Sequence, residues 1–239
     1  LGETCSFYRL CSARELVVDN QSSQLNSAQL FGGLTYGADI KPLVRSLQEV
    51  RDISNMLNDV MKHHTLVADK GTKESFMQMN CNAPNIIHLS THGFYYSPSD
   101  QNLPSSLKGY NDAMSLSGLV MSGGSLSSRS GLLTADEVAQ CNLSNTVIAC
   151  LASCHSGQGE VTSEGIYGLQ RAFKKAGVKT VIMNLCEASD VATECFMTNF
   201  YLDLINGSKD RHKAFQYARD EVRKKYSSSF YWAGFVMVD

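Results

Sequence analysis

Two short strings, Ser90-Thr91-His92-Gly93 and Ala152-Ser153-Cys154-His155-Ser156-Gly157, each close an apolar run and each end in glycine. A thiolate is a strong nucleophile, and an imidazole can take its proton and return it to a leaving amine. Cys154 and His92 are therefore the residue types of a nucleophile and its base. Both fall just beyond β-like segments, at the carboxyl edge where open α/β sheets bind ligands, so they could meet at one rim. That is the layout of a cysteine protease. Gly93 leaves a backbone N–H unobstructed for a developing oxyanion, and the N–H groups following Cys154 favour a thiolate. The competing reading of each residue is structural: a buried cysteine, and a histidine satisfied at a strand end. His88, inside its apolar run, is read as a satisfied core residue; His63, His64 and His212 are read as surface positions, and His155 as a neighbour of the nucleophile.

The elements that must position this pair follow from periodicity. Apolar residues recur at three and four between Ile40 and Met61, predicting an amphipathic helix with Pro42 at its start. A short strand is expected at 65–68, a helix opening at 72–76 and a buried strand from Asn85 to Thr91. Between Ser97 and Gly131 the composition turns to Ser, Gly, Asn and Pro without periodicity, which reads as a long functional or disordered loop. Thr134 can cap a short helix through Ala139, and 146–153 is a buried strand delivering Cys154. A helix over 163–176 stops at Gly177, a strand spans 178–185, and Ser189 or Asp190 caps a helix ending near Gly207. A helix at 213–226 and a strand at 230–238 complete an alternation that predicts a mostly parallel sheet with helices on both faces. Residues 1–39 are set apart as a candidate remnant of a preceding subdomain, and 40–239 are taken as the main domain.

At 239 residues, 43% apolar and a formal charge of −2, the chain can bury one sizeable core. No run of eighteen apolar residues could span a membrane, the first residues are not a signal peptide, and the near-neutral charge gives no reason to expect nucleic acid. The first residue, Leu1, is not a start methionine, so upstream sequence is expected. Eight cysteines without a CxxC pair suit a reducing compartment, and a cytoplasmic location is the expectation. No metal site is expected: on one strand His88 and His92 would lie roughly 13 Å apart. No cofactor is expected either, since neither a GxGxxG spacing nor a Gly-Lys-Ser/Thr phosphate loop occurs, and without GxSxG a serine hydrolase is not supported.

Three further strings make the pattern specific: Ile86-Ile87-His88-Leu89-Ser90-Thr91-His92-Gly93-Phe94, then 147–157, then Gly165-x-x-Gly168-Leu169-x-Arg171-Ala172-Phe173-x-x-Ala176-Gly177. With Asp190-x-x-Thr193, Phe200-Tyr201 and Trp232-Ala233-Gly234-Phe235 after them, the chain from about residue 30 onward resembles the CHAT domain, a caspase-like module often found beside tetratricopeptide repeats. The resemblance implies a caspase-like three-layer α/β fold. It also implies a dyad of His92 as general base and Cys154 as nucleophile, with an oxyanion hole from the Gly93 and Cys154 N–H groups. The string around Cys154 looks more like metacaspases than the Cys-Glu-Thr-Gly usual in CHAT domains. Leu185-Cys186 stands where many members have Leu-Trp, which alters a pocket wall. The segment Glu187-Ala188-Ser189-Asp190 keeps the acidic pattern of separases. By resemblance Asp190 is the candidate floor of an S1 pocket for Arg or Lys, against the plainer reading of a helix N-cap; Glu160 and Asp112 are weaker acidic candidates.

The leading expectation is a cysteine endopeptidase cutting a protein or peptide substrate after a basic residue, Arg first. An upstream repeat domain or regulatory partner is expected beside it, and the long 97–131 stretch is expected to regulate it, with cleavage by another copy at Lys108 or Arg129. The rival is a catalytically silent interaction module of the same fold.

Overall fold

The computed structural model describes residues 10, 24–153, 163–185 and 189–239, with backbone alone for 163–167. In chain order the elements are β1 (Ser27–Leu34), α1 (Ser46–Leu57), β2 (Lys62–Ala68), α2 (Lys73–Met77), β3 (Ile86–Leu89), β4 (His92–Tyr95), β5 (Ser117–Val120), β6 (Leu132–Thr134), α3 (Ala135–Ala139), β7 (Ile148–Leu151), α4 (Ser163–Lys175), β8 (Thr180–Asn184), α5 (Asp190–Asn206), α6 (Arg211–Lys225) and β9 (Phe235–Val238). Six strands form one sheet in the order β2-β1-β3-β7-β8-β9, parallel except for β9.

Burial on both faces explains why β3, β7 and β8 are continuous apolar runs rather than alternating ones. Ile86, Ile148 and Ile182 face Val50 of α1, Phe196 of α5 and Ala218 of α6. Ile87, Ala149 and Val181 face Phe76 of α2, Val138 of α3 and Phe173 of α4. The result is the expected three-layer architecture, a mostly parallel sheet between two helical layers. Burying each large side chain of these layers contributes about 2 kcal/mol. Among the described residues, no helix is long and apolar enough to cross a membrane.

The segment 24–39, set apart in the sequence reading, contains β1, which lies between β2 and β3. Gly32 and Gly33 explain how α1 reaches it. A Cβ on Gly32 would stand 2.5 Å from Val50 Cγ1, and Gly33 takes the left-handed φ of +59° at a register shift in the β1–β2 pairing. The helix is also shorter than its periodic pattern. Val44 and Val60, at the two ends of that pattern, are 82% and 52% exposed, and α1 begins only at Ser46. Residue 41 precedes Pro42 and is biased to extended backbone, which delays the helix. Ser46 then fixes its start: Oγ accepts from the Gly33 N–H (2.8 Å) and donates to the Ser90 carbonyl (2.6 Å).

The stretch expected as a loop, 97–131, is built into the protein. β5 pairs antiparallel with β4 and β6 in a second sheet of three strands. Leu119 and Met121 join the core against α4, while Leu107, Leu116, Val120 and Leu132 pack with Phe94 and Tyr96. At its end Thr134 and Glu137 form a capping box that starts α3.

Candidate active site

His92 is the first residue of β4, so the chain passes from the large sheet to the small one through Ser90 and Thr91. Both linker residues are tied. Ser90 N–H donates to the Phe31 carbonyl at 2.8 Å, and Thr91 Oγ1 donates to the Val120 carbonyl. With its own hydrogen committed there, Thr91 Oγ1 accepts from the Tyr36 O–H at 2.9 Å. The His92 backbone also hydrogen-bonds to the Tyr36 hydroxyl, and the two rings meet edge to face at 4.9 Å. Burial pushes the Tyr36 phenol up to about 12, against the effect of these hydrogen bonds, so it keeps its proton and remains a donor at neutral pH.

The His92 ring, 4% exposed, places Nε2 2.7 Å from the Lys41 carbonyl. A carbonyl can only accept, so Nε2 carries the hydrogen and Nδ1 is the basic nitrogen of the neutral ring. Burial lowers the His92 pKa below the ordinary histidine value, opposed by the Lys41 carbonyl and by the negative charge of Asp190. The ring is therefore neutral at pH 7, in the form that can accept a proton.

Gly93 sits beside the end of β7: a Cβ added to it would lie 3.7 Å from Ser153 Oγ. β3 and β7 pair in parallel through Leu89 and Leu151, and Ala152 N–H donates to the Leu89 carbonyl at 3.0 Å. The chain leading into position 154 thus runs alongside the chain leading into His92. Cys154 itself, with Glu160 and Cys186, lies outside the described residues.

Asp190 opens α5, and its neighbour Ser189 is the cap, accepting from the Ala192 N–H at 3.3 Å. The cap role weighed for Asp190 thus belongs to Ser189. Asp190 borders a small, half-open cleft whose lining also includes Ser46 and Glu49 of α1, Thr193 of α5, and Ser90 and Ala152 just beyond β3 and β7. Leu43 and Arg45 line it as well. The segment 41–45 therefore serves twice, holding His92 through the Lys41 carbonyl and walling the cleft. Arg45 lies 3.5 Å from Glu194, one turn along α5 from Asp190.

The remaining candidates are elsewhere. Lys108 is exposed, whereas Arg129 is half-buried with its guanidinium stacked 3.9 Å from the Tyr110 ring. Asp112 accepts from the Ser115 N–H at 2.9 Å within its turn. His88 is a satisfied core residue: Nε2 is 2.8 Å from Glu49 Oε1, and Nδ1 is 3.4 Å from the Tyr201 hydroxyl. His212, read as a surface residue, is instead half-buried against Asp239, with Nε2 2.7 Å from Oδ2. No group of three metal-ligating side chains occurs among the described residues.

Sequence reasoning missed the Lys41 carbonyl, Tyr36 and Glu49. A backbone acceptor leaves no mark in the sequence. Tyr36 and Glu49 reach the site across separations of 55 and 39 residues, to Thr91 and His88.

Comparison with known proteins gives the same architecture. The crystal structure of the Arg specific cysteine proteinase gingipain R (RGPB) superposes with a TM-score of 0.57 at 11% identity, over 91% of this chain and 47% of that one. The complex of Porphyromonas gingivalis RgpB pro- and mature domains gives 0.57 at 12% identity, over 91% and 48%. At such identity the likeness is one of fold, and the fold is caspase-like. In sequence, the chain is 26% identical over 208 residues to tetratricopeptide repeat protein 28 of Mus musculus and 27% identical over 202 residues to that of Homo sapiens. Each match takes 77% of this chain but 8% of the relative's length. The profile of the CHAT domain covers residues 1–239, and with the three-layer fold and the His92 rim in place, this chain belongs to the CHAT domain family.

Proposed function

We propose that this chain is a cysteine endopeptidase that cuts protein substrates after a basic residue, Arg first. The observation that carries the reading is the setting of His92. Its Nε2–H is fixed on the Lys41 carbonyl, which leaves Nδ1 as the basic nitrogen, and β7, the parallel neighbour of β3, ends three residues before Cys154 in the sequence. In this reading His92 takes the Cys154 proton and the thiolate attacks the scissile carbonyl. The oxyanion is held by the Gly93 and Cys154 N–H groups, the amine leaves with the proton from His92, and water hydrolyses the thioester. Asp190, on the cleft beside His92, receives the basic side chain.

The curated relatives are far longer repeat proteins, which supports a role as one domain beside a repeat array that recruits or restrains it. Of the two candidate self-processing positions, Lys108 is the accessible one, and Arg129 would have to leave its stack on Tyr110.

The test is digestion of a peptide library by wild type, Cys154→Ala and His92→Ala under reducing conditions, with products read by mass spectrometry. Cuts after Arg or Lys that vanish in both variants establish the activity. Cuts that survive in Cys154→Ala, or none by any form with the repeat domain attached and partner supplied, refute it in favour of an interaction module.

A further inference from the structure

We infer that Glu49 is a second, inner carboxylate of the same cleft, so that a bound guanidinium is shared between Glu49 on α1 and Asp190 on α5. The inference rests on the reading of the cleft as the pocket for a basic side chain. The placement of the cleft is its first support. Ser90 and Ala152 line it, two residues before His92 and two before Cys154. A side chain that enters here therefore hangs from a peptide lying across both.

Charge is the second support. Glu49 is 2% exposed and lines the cleft, with Oε1 accepting from His88 Nε2–H at 2.8 Å. A buried carboxylate is costly unless it is paired and hydrogen-bonded, and removal from water strengthens its attraction for an arriving cation. The cation already at the cleft, Arg45, is half-exposed and directed to Glu194 at 3.5 Å. The walls are also fixed in advance: Ser46 Oγ spends both its roles on Gly33 and Ser90, which holds the first turn of α1, and with it Glu49, against the ends of β1 and β3. Chemistry selects the ligand. A guanidinium presents five donors in a rigid fork and can serve carboxylates on two walls at once, whereas an ammonium is a point charge on a flexible stem.

Glu49→Gln tests this without dismantling the core, because the amide oxygen still accepts from His88. Matched peptides carrying Arg, Lys or citrulline before the scissile bond are compared by kcat/KM. Binding of acetyl-arginine amide to Cys154→Ala and to Cys154→Ala/Glu49→Gln gives a readout free of catalysis. Loss of a charge-assisted hydrogen bond predicts a fall of about ten- to a hundredfold for Arg in Glu49→Gln, a smaller fall for Lys and none for citrulline. Binding of acetyl-arginine amide should weaken by the same factor. Glu49→Asp, which keeps the charge but withdraws it by one methylene, should lie between, and it decides the matter if Glu49→Gln does not fold. Wild type preferring Arg over citrulline while the Glu49 variants keep that whole preference overturns the role of Glu49 and leaves the pocket standing. Failure of Cys154→Ala to bind acetyl-arginine amide, or no preference for Arg in wild type, overturns the pocket and this inference with it.

Discussion

Tyr36→Phe isolates one hydroxyl at the base of the site. The ring stays, and with it the edge contact to His92 at 4.9 Å; the bond to Thr91 and the bond to the His92 backbone are lost. Thr91 still donates to Val120, so it loses an acceptor's partner and leaves no orphaned donor. His92 fares worse, because its backbone contact to the hydroxyl is replaced by a ring edge. One buried group left unsatisfied costs about 1–3 kcal/mol and a replaced neutral bond about 1. With part of the loss recovered by relaxation, the expected destabilisation is about 1–2 kcal/mol, read by urea or thermal unfolding. If the hydroxyl also sets the angle at which His92 enters β4, kcat for an Arg peptide should fall about tenfold, equivalent to 1.4 kcal/mol in the transition state, with KM unchanged. Full stability would show that the hydroxyl does not anchor the strand. Lost stability with unchanged kcat would show that it anchors the strand but does not aim the imidazole.

Four other outcomes follow from the geometry. Asp190→Asn removes the charge that opposes burial at His92, so the imidazole pKa, followed by NMR in Cys154→Ala, should fall further below its ordinary value; a rise would contradict the arrangement. Gly32→Ala drives a methyl to 2.5 Å from Val50 Cγ1 and 2.9 Å from the Ser46 carbonyl, and should cost about 1–3 kcal/mol in denaturant unfolding. Iodoacetamide should leave Cys150 unmodified in the native state, because complete burial pushes its thiol up to about 12; modification as fast as that of exposed Cys81 would contradict this placement. At Asp239 burial alone would raise the carboxyl, but hydrogen bonds from His212 and Thr180 and the charges of His212 and Arg211 outweigh it and hold the pKa below 3.8. A lowered carboxylate stabilises the fold above its unfolded value and loses that contribution as pH falls through the folded one. Stability should therefore drop below about pH 4 in wild type, and less steeply in Asp239→Asn, by circular dichroism.

What the sequence reveals depends on whether a residue's partner is local. The capping box at Thr134 and Glu137, the stop at Gly177 with φ +100° and the buried runs of β3, β7 and β8 are all local patterns, and each lies where periodicity predicts it. β5 escapes the same reading because Ser117-Gly118-Leu119-Val120 is only four residues, buried throughout, and its small residues are demanded by neighbours distant in sequence. A Cβ on Gly118 would fall 2.2 Å from the Leu133 carbonyl. The glycine that looked like loop composition is there to let two strands approach.

Asp190 shows the same limit at the level of chemistry. An acidic residue after serine at a helix start has two ordinary uses, as a cap or as compensation for the helix dipole, and neither needs a substrate. The structure gives the cap to Ser189 and leaves Asp190 lining the cleft, with its charge acting on the His92 imidazole. Glu49, in the first turn of α1, is a second acidic residue at a helix start that lines the same cleft. The two carboxylates that offset the dipoles of α1 and α5 thus lie on one cleft. On the proposed reading, a cation entering between them would meet negative charge that the helices already stabilise.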